Sequence, residues 1–158
     1  MLTSLNRLTG MPVVWRDRQV GCVERAVADM RCMRLQGLVV RRGFAGARWV
    51  AREMILTVGR QSVVIVCRPG RMPQQETEGI RRVVLASGSC AGEVSDVILR
   101  SDTLGVAALE VSQGPLYRLA GRRAYAPGCL MNGAGEAVAP QLISWTQLLT
   151  LLGEGENA

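Results

Sequence analysis

The chain has no histidine, and all 19 of its basic residues are arginine, so it has no lysine either. The first absence removes the commonest general base, the Ser-His and Cys-His nucleophile arrangements, and histidine-bound zinc. The second removes a P-loop lysine and any Schiff base. Aromatic residues are scarce: one Phe, two Tyr and three Trp. No apolar run approaches the ~20 residues that span a bilayer. Met1 to Gly10 lacks the apolar core of a signal peptide, so the expectation is a cytoplasmic protein with no transmembrane segment. Gly133-Ala134-Gly135 is not continued by the glycine a dinucleotide fingerprint needs. Glu93 and Asp96 lie three apart in a strand pattern, which sends them to opposite faces instead of pairing them. No catalytic set, metal site or cofactor site emerges, and the expectation is a protein that is not an enzyme.

Five cysteines stand at positions 22, 32, 67, 90 and 129, an odd number without a CxxC spacing. They read as reduced thiols acting as small hydrophobes. Net charge is +6, unevenly spread. Residues 1–67 hold 11 Arg against 4 acids, a net +7, and residues 83–158 hold 4 Arg against 7 acids, a net −3. The first part is therefore suited to a polyanion, or to the second part.

The chain repeats itself at an offset of 71. Gly21 and Gly43 match Gly92 and Gly114. Val23, Val27, Leu38 and Val40 match Val94, Ile98, Leu109 and Val111, and Val13-Val14 match Val84-Leu85. One repeat of this length present twice implies two copies of a small domain. The division expected is a first module over 1–67, a linker over 68–80, a second module over 81–140, and an amphipathic helix over 141–153. In the first module, Thr3-Ser4 opens a capped helical turn. Short strands follow at Pro12 to Trp15, Gln19 to Val23, Val27-Ala28, Leu35 to Val40, Trp49 to Ala51 and Val63 to Cys67. Gly43 to Gly46 is a turn, and Glu53 to Leu56 one helical turn. In the second, strands fall at Val83 to Leu85, Cys90 to Val94, Val97 to Leu99, Val106 to Ser112, Ala124 to Ala126 and Ala137 to Ala139. Gly105 is placed where a turn needs positive φ. Short strands with Gly-rich turns and no room for crossover helices imply mainly antiparallel sheets curled into small barrels.

These motifs resemble the PRC-barrel family. Gly92-Glu93-Val94-Ser95-Asp96-Val97 resembles its "GxVxDV" strand. Asp102-Thr103-Leu104-Gly105 resembles its "D-x-x-T-G" turn with one residue transposed. Ala108-Leu109-Glu110-Val111-Ser112, Gly121-Arg122-Arg123 and Pro127 continue the pattern. The first half is similar through Gly10-Met11-Pro12-Val13, Gly21-Cys22-Val23, Gln36-Gly37-Leu38-Val39-Val40 and Gly59. It departs at Arg31-Cys32-Met33-Arg34, where an irregular turn is expected. The resemblance spans about residues 3–140. It implies two small β-barrels in tandem and an adaptor-like role, binding proteins, RNA-containing assemblies or membrane complexes. It transfers no catalytic residue.

Candidate contact residues are therefore arginines. Arg41-Arg42, Arg81-Arg82 and Arg122-Arg123 form doublets. Arg16, Arg18, Arg25, Arg31, Arg34 and Arg48 add to the basic first module. The strongest candidates for a partner or nucleic-acid surface are Arg31, Arg34, Arg41, Arg42 and Arg48. Trp15, Trp49 and Trp145 sit in apolar patterns and read as core or interface. In the tail, Leu142, Trp145, Leu149 and Leu152 recur at helical spacing, widened by Ile143 and Leu148, and form a candidate helix interface covering a barrel mouth or sheet edge. The leading functional expectation is a non-enzymatic adaptor that binds a macromolecular partner, a protein in the first instance. The alternatives are an RNA or ribonucleoprotein binder acting through the Arg-rich module, and a structural homo-oligomer.

Overall fold

Valine-rich segments of three to twelve residues, broken by turns, dictate strands too short to bury both faces alone. A computed structural model describes residues 1–44, 46–74 and 81–153. The chain divides into two compact units, one of Leu2–Gly79 with Leu99–Val106, the other of Met1, Ile80–Ile98 and Ala107–Ala158. The structure is mainly β, with two curled sheets and a C-terminal helix. No helix among the described residues is long and apolar enough to cross a membrane.

The N-terminal unit begins with β1 (Leu2–Ser4) and the single-turn helix α1 (Leu5–Leu8). Ser4 caps α1 by accepting the Arg7 N–H at 3.2 Å. There follow β2 (Pro12–Trp15), β3 (Arg18–Asp29), β4 (Arg34–Arg41) and β5 (Ala47–Ala51). A 3-10 turn over Arg52–Met54 leads into β6 (Ile55–Val58) and β7 (Val63–Ile65). The sheet order is β5-β4-β3-β2-β7-β6. Its core is aliphatic: Val13, Leu35, Leu38, Val50 and Val63 are fully buried. The two strands expected over Gln19 to Ala28 are one strand, β3, whose register against β4 shifts at Val23/Arg25 and at Val27/Ala28. These bulges let a long strand curl without breaking its ladder.

The C-terminal unit contains β8 (Arg82–Leu85), most of β9 (Cys90–Arg100) and of β10 (Val106–Ser112), and the short helix α2 (Pro115–Leu119). It continues with β11 (Ala124–Pro127), β12 (Leu130–Met131), β13 (Ala137–Ala139) and α3 (Trp145–Leu151). Six strands of its seven-stranded sheet run in the order β11-β10-β9-β8-β13-β12, which repeats that of the first sheet. Each sheet also has a parallel pair, β2 with β7 and β13 with β8, which sets the strand that opens a repeat beside the one that closes it.

The repeat reaches individual contacts. At Gly21 a Cβ would lie 2.7 Å from the Arg41 carbonyl oxygen, and at Gly92 2.5 Å from that of Ser112. Arg41 and Ser112 are themselves 71 apart, so both glycines serve the same close crossing of β3 over β4 and of β9 over β10.

The turn at Arg31-Cys32-Met33-Arg34 is organised by Asp29, whose Oδ1 accepts the N–H groups of Arg31 (2.9 Å) and Cys32 (3.3 Å). Within the N-terminal unit, residues 33–35 pair with 104–106. Leu35 N–H donates to Leu104 O, Val106 N–H donates to Met33 O, both at 2.8 Å, and Arg34 faces Gly105. Each of 33, 34 and 35 has its repeat equivalent in 104, 105 and 106, so the pairing maps onto itself when the segments are exchanged. Met33 (φ 49°) and Leu104 (φ 56°) both take the left-handed conformation. The positive φ expected at Gly105 thus falls one residue earlier, on Leu104, because Gly105 is held extended in the bridge to Arg34.

The expected linker begins as part of the N-terminal unit: Gly70 exchanges two backbone hydrogen bonds with Trp49, at 3.0 and 2.7 Å. Residues 75–80 of that linker, and Ala45 of the turn expected over Gly43 to Gly46, lie outside the described residues. The tail helix is shorter than 141–153, because Ser144 and Gln147 form a capping box that starts it at Trp145.

Of the five free cysteines only Cys129 is buried; Cys22 and Cys67 are half-buried, and Cys32 and Cys90 are exposed. Burial pushes the Cys129 thiol up to about 11, and its Sγ lies 3.2 Å from the Ala126 carbonyl oxygen. The thiolate is the reactive form. At pH 8 a maleimide is therefore expected to label Cys32 and Cys90 first, and Cys129 only on unfolding. Mass mapping showing early labelling at Cys129 would contradict this burial.

Candidate functional site

The two-residue turn between β2 and β3 decides where the first group of charges goes. Trp15 pairs with Arg18 across it, and both turn residues have positive φ, Arg16 at 47° and Asp17 at 61°. This is the conformation whose twist matches a tight hairpin, and it more often carries Asn or Gly. Arg16 accepts an uncommon backbone geometry, and its guanidinium carbon lies 4.8 Å from the centre of the Trp15 ring.

A second guanidinium arrives from the far end of the unit. Past β7, Trp15 Nε1–H donates to the Val66 carbonyl at 3.2 Å, and Gly70 is tied to Trp49. Between these two ties lies Arg68, whose guanidinium carbon is also 4.8 Å from the Trp15 ring centre. Cation–π attraction of this kind holds an exposed arginine in place for about 0.5–1 kcal/mol.

The third group comes from the β4–β5 connection. Side chains alternate along a strand, and the doublet Arg41-Arg42 is split accordingly. Arg41 turns to Glu24, with Nε to Oε2 at 2.9 Å and Nη2 to Oε1 at 2.7 Å. The hydrogen bond from Arg41 holds the Glu24 carboxyl below its ordinary value and raises Arg41 in turn. Arg42 turns instead to a cleft of about 780 Å³ that it lines with Arg16, Arg18, Arg48 and Arg68. Trp15, Gln19, Val20, Val40, Gly46 and Pro69 complete the wall. Five arginines and no carboxylate line the cleft among the described residues. All five are exposed, so water and salt moderate their mutual repulsion.

Of the arginines singled out from the sequence, the structure brings Arg42 and Arg48 together and sets Arg41 aside in an ion pair. Arg31 and Arg34 lie at the opposite end of β4, a strand of eight residues and so roughly 23 Å long. Sequence reasoning did not single out Arg68, which it placed in a linker, and it gave Trp15 to the core or an interface. A usable signal was the repeat itself. At the offset of 71, Trp15, Arg16, Arg18 and Arg42 correspond to Ala86, Ser87, Ser89 and Gln113. Gly21 and Val40, which build the close crossing, recur as Gly92 and Val111; Trp15, Arg16, Arg18 and Arg42 occur in the first copy alone.

Leu148 is the fully buried member of α3, while Leu149 and Leu152 are half-buried and Leu142 precedes the helix. Trp145 is 40% exposed and rests on Tyr125 at 5.1 Å between ring centres. Ile143 exchanges two backbone hydrogen bonds with Tyr125, at 2.9 and 2.8 Å, so the tail is laid along β11, the terminal strand of its sheet. Nearby, the Glu110 carboxylate accepts from Ser95 Oγ at 2.9 Å and from Arg123 and Tyr125, both at 3.4 Å. It is engaged in holding strands together. No family model and no curated protein matches the chain.

Proposed function

We propose that this protein is a non-enzymatic interaction protein of the PRC-barrel type, with two barrel-like modules in tandem, and that the N-terminal unit binds RNA or a ribonucleoprotein through the arginine-lined cleft. One observation carries the reading: among the described residues, five guanidiniums and no carboxylate converge on a cleft of about 780 Å³. Guanidinium matches the paired oxygens of a phosphate with two parallel hydrogen bonds, and arginine is weakly hydrated enough to give up water for that contact. The charges belong to the first copy of the repeat and are absent at the matching positions of the second, so they are a property of the site and not of the fold. The adaptor expectation fits the same picture, with the partner specified as a polyanion.

The test is binding of a labelled single-stranded RNA of about 20 nucleotides, a length exceeding common single-strand site sizes, followed as salt is raised. Five phosphate contacts predict a log–log slope of about −3 to −4. Arg31→Glu/Arg34→Glu, at the other end of β4, leaves slope and affinity unchanged. Absence of binding at low salt, or an equal loss in the far-end variant, would overturn the reading.

A further inference from the structure

We infer, on the basis of the function just proposed, that the cleft recognises the phosphodiester backbone alone and is indifferent to the bases it carries. Single-stranded nucleic acids are commonly held by bases stacked on exposed aromatic rings. Trp15 is the aromatic residue of this cleft, and it is already in use. Two guanidiniums lie over its ring, and its N–H is given to the Val66 carbonyl. Gln19, the one side-chain amide in the wall among the described residues, spends its Nε2 on the Gly21 carbonyl at 3.5 Å and on Cys22 Sγ at 3.3 Å. Neither the ring nor that amide nitrogen is offered to a base edge. What the cleft does offer is guanidinium, whose N–H groups pair with phosphate oxygens. Trp15 is on this reading a positioning residue that holds Arg16 and Arg68 in place.

The class of ligand is therefore a flexible phosphodiester chain, with RNA and DNA as its two sources. The experiment compares oligo-U, oligo-A, oligo-C and oligo-G with oligo-dT, all of one length and at one salt concentration, using the full chain. The affinities are expected to agree within about threefold, against the roughly five- to hundredfold that one stacked base contributes. Inorganic polyphosphate competes with every one of them. Trp15→Leu weakens all five by a common factor of about ten, and Trp15→Phe, which keeps a ring face, restores most of the loss. Thermal melting of each variant confirms that the unit is folded. A tenfold preference for one base or for ribose over deoxyribose, or a Trp15→Leu loss confined to purines, overturns this inference and leaves the RNA-binding function standing. No binding by any oligonucleotide at low salt overturns both.

Discussion

Replacing Arg42 and Arg48 together by Glu is expected to lower RNA affinity about a hundredfold at 0.1 M salt. Each reversal deletes one guanidinium–phosphate contact and places a like charge beside the backbone, and two such changes total about 3 kcal/mol. Both residues line the cleft and both are exposed, so the variant keeps its fold and its melting temperature. Arg41→Glu is the matched control. It changes the charge of the chain by the same step per residue and lies next to Arg42, yet its guanidinium is committed to Glu24 at 2.7 Å, away from the cleft. Its expected effect on affinity is under about threefold. Fluorescence anisotropy on the three proteins decides the matter. An Arg41→Glu loss equal, per reversed charge, to that of the Arg42→Glu/Arg48→Glu variant would mean that net charge, and not the cleft, governs binding.

The largest effect on stability is expected at the two equivalent glycines, Gly21 and Gly92. A Cβ added at Gly21 meets backbone, the Arg41 carbonyl oxygen at 2.7 Å, as well as Val40 Cγ1 at 2.7 Å. At Gly92 it meets Ser112 O at 2.5 Å and Val111 Cγ1 at 2.9 Å. A side chain can rotate out of the way, but a carbonyl fixed in a ladder cannot. The strand pair must separate locally, and either alanine substitution is expected to cost about 3 kcal/mol. Gly92 adds a φ of 138°, a region that other residues enter only with strain. Gly133→Ala supplies the comparison: nothing lies within 4 Å of its added Cβ and its φ is not positive, so its effect is expected within about 0.5 kcal/mol. Chemical denaturation of the three variants measures these differences. A Gly92→Ala protein as stable as the parent would show that β9 and β10 can move apart without loss.

Much of the fold was legible because it is written twice. The offset of 71 between Gly21 and Gly92, and between Val40 and Val111, reflects one contact built at two places, and the strands between them follow. The two bulges that keep β3 continuous were not legible, because a bulge moves register without leaving a break in hydrophobicity at Val27-Ala28. Nor was the positive φ of Leu104, since Gly105 beside it is the residue a local rule selects and the pairing with Arg34 overrides that rule. For the site, composition indicated that the first half carried the arginines but not which of them meet. Arg34 and Arg42 are near in sequence and sit at opposite ends of a strand. Arg16 and Arg68 are 52 positions apart and share one indole ring. That meeting depends on the β2–β7 pairing and on the two ties that carry residues 66–70 across the unit, and neither has a short-range signature.

The pairing of residues 33–35 with 104–106 bears on how such a chain can diverge. A contact that maps onto itself under exchange of its halves asks the same thing of both, and a single copy of the repeat already contains everything it needs. Two separate but identical chains joined this way cannot alter one partner without altering the other. Once both copies lie in one polypeptide, that coupling is gone. One copy can carry Trp-Arg-Asp-Arg at its first hairpin while the other carries Ala-Ser-Gly-Ser, and the shared contact is untouched by the difference. Duplication within a single chain thus converts a symmetric scaffold into one where specialisation is inherited by one half alone.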